Sequence, residues 1–131
     1  MRKILFRGFH PCDGENGLKV PNFDKEEDYF FVNAVENQVR RLVDVELAAA
    51  NERFPQFHSQ HEGFAVIVEE VDECDEALEL IKQNLKTEWE SIRADKKADM
   101  TWVFSFAWKL ACEAIQVAAM CKKFLEMEGK K

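Results

Sequence analysis

From Gln56 to Glu128 the chain contains one glycine, Gly63, and no proline. A run this long without breakers favours helices over a fold of many short strands. Within it, Phe64, Ile67, Val68, Val71, Cys74, Leu78, Ile81 and Leu85 recur at helical spacing and form one apolar stripe. Ser59 and Glu62 make a capping-box pattern that opens this helix. The segment 99–127 is apolar around most of its circumference, which places it at the centre of a bundle or in a subunit interface. Upstream, Asp24 and Glu27 open a helix that carries Val35, Val39, Leu42, Val45 and Ala49 on one face, and Pro55 ends it. Two stretches stay open. Residues 86–99 are polar and lysine-rich, with Trp89 and Ile92 as isolated anchors, and fit either a helical extension or a mobile connection. Residues 1–22, with turn signals at Asp13-Gly14 and Asn16-Gly17, fit either a small hairpin or an extended arm. The expectation is therefore an all-α fold: an antiparallel helical bundle with long helices over residues 23–131, preceded by a short N-terminal extended or hairpin segment.

Composition narrows the function. The 131 residues are 47% hydrophobic and 33% charged, which suits one globular domain rather than a disordered chain. A net charge of −7 argues against a nucleic-acid polymer as partner. A nucleotide substrate remains compatible if a divalent cation bridges acidic side chains to phosphates. Cys12, Cys74, Cys112 and Cys121 form no CxxC pair and are expected as buried free thiols, not zinc ligands. The start of the chain has too short an apolar run for a signal peptide, and no segment is expected to span a bilayer. A cytoplasmic location without membrane contact is the resulting expectation.

The acids carry the chemistry. Glu69, Glu70, Asp72, Glu73, Asp75, Glu76 and Glu79 crowd the second helix, and most acidic runs are simply solvated faces. At about 100° per residue, Asp72, Asp75, Glu76 and Glu79 fall opposite the core, whereas Glu70 borders the apolar stripe with Glu69 and Glu73 beside it. On the last helix, Glu113 is the one acid between Asp99 and Glu126, among Trp102, Phe106, Val117, Met120 and Phe124. Two readings of Glu113 stand: an ion pair with Arg40, Arg41 or Arg53, or convergence on the 69/70/73 group around a cation. Hard oxygen donors on helices suit magnesium, or manganese, over softer metals. His10, His58 and His61 do not supply the ExxH pairs of a di-iron bundle.

Two stretches resemble a family. Residues 57–73, FHSQHEGFAVIVEEVDE, are similar to the HEGYAVxxEExxE segment of phage and bacterial MazG-like proteins. Residues 113–120, EAIQVAAM, followed by Phe124-Leu125, are similar to their EAIQVAAM…RFL segment. The resemblance spans roughly residues 54–126. It implies an α-helical bundle, dimeric or tetrameric, that hydrolyses a nucleoside triphosphate to the monophosphate and pyrophosphate with magnesium. It implies that Glu69, Glu70 and Glu73 correspond to EExxE, and that Glu113 is the glutamate of ExxD. The last position departs, being Gln116, whose amide oxygen can ligate a hard cation but carries no charge. The 39 residues between Glu73 and Glu113 are also a long separation. Glu70 is the expected general base, and Lys109, His61 and Trp102 (or Trp108) are expected substrate contacts. Plainer roles for these last residues are a snorkelling lysine, a loop-fixing histidine and a packed indole. The alternative function is a MazG-like fold that binds nucleotide or protein partners without turnover.

Overall fold

The computed structural model describes residues 26–129, and the N-terminal segment 1–22, with His10 and Cys12, lies outside them. Three helices account for most of the described chain: α1, Glu26–Arg53; α2, Gln60–Arg93; and α3, Thr101–Met127. No strand occurs among the described residues. The fold is all-α, as the breaker-free sequence favours. The chain divides into two compact units within α1, Met1–Leu42 and Val43–Lys131. In the first unit, the buried Glu36 accepts a hydrogen bond from Arg40 at 2.9 Å, one turn away. The second unit holds the acids of interest.

The ends of α2 follow from local chemistry. Ser59 has extended backbone and its Oγ accepts from the Glu62 N–H at 3.1 Å, the N-cap read from sequence. Glu62 reaches back one residue further than a capping box requires: its Oε1 accepts from the His58 N–H at 2.6 Å. That bond is the main reason the Glu62 carboxyl is held below its ordinary range. Ser59→Ala should cost about 1 kcal/mol, read as a lower denaturant midpoint; an unchanged midpoint would show that the cap contributes nothing. At the other end, Asp95 takes φ 57°. Its N–H donates to the Ile92 carbonyl, and the Lys96 N–H donates to that of Ser91. This is a Schellman closure with aspartate at the position glycine usually fills. The segment 86–99 thus divides into a helical extension to Arg93 and a fixed turn. Asp99 finishes that turn, donating its N–H to Glu88 Oε1 at 2.7 Å and accepting from the Thr101 N–H at 2.9 Å.

α2 and α3 form an antiparallel hairpin with a constant register. Gly63 lies against Phe124, Gln60 Nε2 donates to Glu128 Oε2 at 2.8 Å, and Asp99 meets Glu88 near the tip. Positions therefore pair as one number rises and the other falls. At the base of the hairpin, Leu47 and Phe57 pack on Ala119 and Met120, with Val43, Ala50, Val66, Ile67, Phe124 and Met127 around them. Farther along, the packing thins. Leu85, Trp89, Ile92, Trp102, Phe104 and Trp108 are all exposed, Trp108 to 65%. Within one copy, α3 is not a central helix.

Two sequence expectations need correction here. α3 is long and apolar enough to cross a bilayer by length and composition. Only 17% of that apolar window is buried within one copy, and α3 packs on a helix with seven acids between Glu69 and Glu79. The thiols of Cys74, Cys112 and Cys121 are free, but Cys112 is exposed and the other two are half-buried. Cys112 precedes Glu113 by one residue and so points about 100° away from the inward face.

Candidate functional site

Glu113 faces α2. One carboxylate oxygen from each of Glu70, Glu73 and Glu113 lies within 4.8 Å of the other two. The register explains this convergence, because Glu73 and Glu113 sit at the same level of the hairpin while Glu70 is one turn nearer its base. Glu113 is buried, Glu70 half-buried and Glu73 exposed. None of the three arginines considered from sequence pairs with Glu113. Its ion-pair partner is Lys109 on its own helix, with Nζ 3.6 Å from Oε1, and that lysine side chain is 56% exposed. One partly solvated ammonium does not neutralise three carboxylates.

Electrostatics and hydrogen bonding agree on what is missing. Burial, then the charges of Glu73, Glu113 and Glu69, hold the Glu70 carboxyl above its ordinary range. Glu113 is raised first by a hydrogen bond shared with Glu73, then by burial and the charge of Glu73, with Lys109 opposing. Burial and the same glutamates also push up the Cys74 thiol. Two buried side-chain atoms, Glu70 Oε2 and Glu113 Oε2, have no hydrogen-bond partner. Buried carboxylate oxygens are ordinarily satisfied, because leaving one unpaired costs several kcal/mol on the order of a lost charged hydrogen bond. Either the cluster takes up a proton or a cation fills it. The donor set, three hard carboxylates with no thiolate or imidazole, fits a magnesium-like ion.

A cleft of about 720 Å³ opens beside the cluster, a size suited to a small organic ligand. Glu69, Glu70 and Gln116 line one side of it. The end of α1 and the following loop, with Arg53, Phe54 and Phe57, line another. Of the acids read from sequence, then, Glu70, Glu73 and Glu113 come together. Glu69 is outside the 4.8 Å group, and Glu69 and Gln116 both line the cleft beside it together with Glu70.

The expected substrate contacts fare differently. Lys109 reaches the cluster, but as the partner of Glu113. His61 is exposed and does not line the cleft; His58 does, with Nδ1 3.3 Å from Glu62 Oε1. Trp102 is not at the site: it lies eleven residues before Glu113, about 16 Å along α3, where it stacks on Phe106 at 6.0 Å. Trp108 is likewise exposed, edge-on to Phe104 at 5.7 Å. The aromatic side chains that line the cleft are instead Phe54 and Phe57. Their spacing around Pro55 was the available signal, since a proline-broken loop between two helices is where a cleft forms.

Compared with protein-family models, with curated proteins and with solved structures, the chain matches none of them.

Proposed function

We propose that this chain is a magnesium-dependent nucleotide pyrophosphohydrolase of the MazG-like type, cleaving a nucleoside triphosphate with water to the monophosphate and pyrophosphate. The observation that supports this most is the meeting of Glu70, Glu73 and Glu113 from two helices, with two buried oxygens left unpartnered. Glu70, Glu73 and Glu113 would hold the ion, with Glu69 and Gln116 completing its surroundings from the cleft wall. Bound magnesium, or manganese, would neutralise phosphate charge and make a coordinated water more acidic. The chain's own residues do the rest. Glu70, half-buried and with a raised carboxyl, is the base that takes a proton from water. Lys109 holds Glu113 in place from one turn away. Phe54 and Phe57 offer apolar surface for a base. Phosphate release from a panel of triphosphates, with added pyrophosphatase, tests the activity; no release with any of them in magnesium or manganese would end it.

Gln116 favours a second reading, in which the same cleft binds nucleotide or protein partners without turnover. An amide there lowers cation affinity relative to a carboxylate. Magnesium-dependent nucleotide binding without phosphate release is the result that would select it.

The exposed apolar residues toward the hairpin tip support self-association. Trp89, Trp102, Phe104 and Trp108 are more than half exposed, Trp102 and Phe104 on different sides of α3, and this much uncovered aromatic surface is suited to a partner. Two copies related by a two-fold axis cover such surface with each other. A homodimer or homotetramer is expected by sedimentation at micromolar concentration, and a monomer there contradicts it.

A further inference from the structure

Lys123 is the most enclosed charged residue described, with 2% of its surface exposed. It lines the cleft together with Glu70. Its backbone carbonyl accepts from Gln56 Nε2 at 3.0 Å, which fixes the backbone but does nothing for the side chain. Its Nζ lies 5.1 Å from the centroid of the Phe57 ring. Among the described residues, no carboxylate oxygen lies within 4.0 Å of that Nζ; Glu62, which lines the same cleft with Glu46, Glu69 and Glu70, feels its charge only at longer range and as the weakest of several influences. A ring face offsets only part of the cost of burying an ammonium.

The cleft wall therefore carries two groups of opposite sign that form no ion pair with each other: the ammonium of the buried Lys123 and the orphan Glu70 oxygen. A cation alone satisfies Glu70 and leaves Lys123 worse off. An anion alone meets four lining carboxylates. A ligand that carries both signs, a divalent cation chelated by an oligophosphate, satisfies both groups at once. Lys123 lies ten residues, about 15 Å, beyond Glu113 on α3, so the phosphate chain would extend from the acid cluster toward the loop after α1.

We infer that Lys123 is the anion-binding residue of the cleft, seating an oligophosphate whose other end is chelated to the cation at the glutamates. This rests on the metal reading of the acid cluster, but its test is separable. Inorganic tripolyphosphate is titrated calorimetrically into the full chain and into Lys123→Met, with magnesium and with chelator. The expected result is binding by the wild type in magnesium, weakened about tenfold to a hundredfold in Lys123→Met. Methionine is close in size and removes a buried charge, so the variant should melt no lower than the wild type. Equal affinity of the two proteins, or no binding by the wild type under either condition, overturns the inference. Wild-type binding that is as tight in chelator as in magnesium, and is lost in Lys123→Met, keeps Lys123 and removes the metal reading. Lys123→Arg retains the charge and is expected to recover part of the affinity; recovery no better than methionine counts against an electrostatic role.

Discussion

Glu70→Gln is expected to lower triphosphate turnover by about a hundredfold to ten-thousandfold, the range for removing a general base, while the helical circular dichroism stays unchanged. Glutamine keeps the size and the hydrogen-bonding oxygen of the side chain and removes its capacity to accept a proton. A variant with near wild-type turnover would refute the role. The same substitution has a signature in the metal-free protein. Burial, followed by Glu73, Glu113 and Glu69, raises the Glu70 carboxyl, so the folded chain binds that proton more tightly than the unfolded one. Stability from this group is complete below the unfolded value and is lost as pH rises through the folded value. In chelator, then, wild-type melting should fall as pH climbs out of the carboxylate range. Glu70→Gln should fall less steeply, and magnesium should raise the wild type more than the variant. Equal pH slopes for the two proteins would show that Glu70 carries no strain.

Gly63→Val is expected to destabilise the fold by about 1–3 kcal/mol, the usual cost of overpacking a filled site. A Cβ at Gly63 would lie 2.6 Å from Phe124 Cδ2 and 2.9 Å from Phe57 Cδ2, so both rings must move. Helix propensity works the other way, since glycine in a helix interior is worse than alanine by about 0.5–1 kcal/mol. The clash outweighs that gain, and valine gains less than alanine from propensity. The denaturant midpoint measures it, and a midpoint equal to wild type would mean that the rings have room to give. Displacing Phe57 also shifts the ring face over Lys123, so ligand affinity should fall along with stability.

Much of this molecule is legible in its sequence, for reasons tied to particular residues. The breaker-free run after Gln56 favours long helices, and Ser59 and Pro55 bracket the loop between the first two. Helical periodicity separates Glu70 from the solvated Asp72, Asp75, Glu76 and Glu79, all four of which are exposed. It also marks Glu113 as inward-facing. What periodicity cannot carry is the register between helices. It ranks Trp102 beside Glu113 on a wheel, but a wheel discards the axial coordinate, and Trp102 lies about 16 Å away. Lys123 was hidden for a related reason. It belongs to a narrow polar strip with Lys109 and Gln116, and only the arrival of Phe57 over that strip encloses it. The enclosing residue comes from a loop, where sequence pattern says least about position.

The opposed running of α2 and α3 also frees the site from the length of chain that separates its parts. Adding or removing matched whole turns from both arms beyond Glu73 and Glu113 moves the Asp95 bend outward or inward, and leaves the gap between the carboxylates as it was. The 39 intervening residues are therefore no measure of how far apart the acids stand; they set the reach of a projecting arm whose aromatic end can meet other molecules.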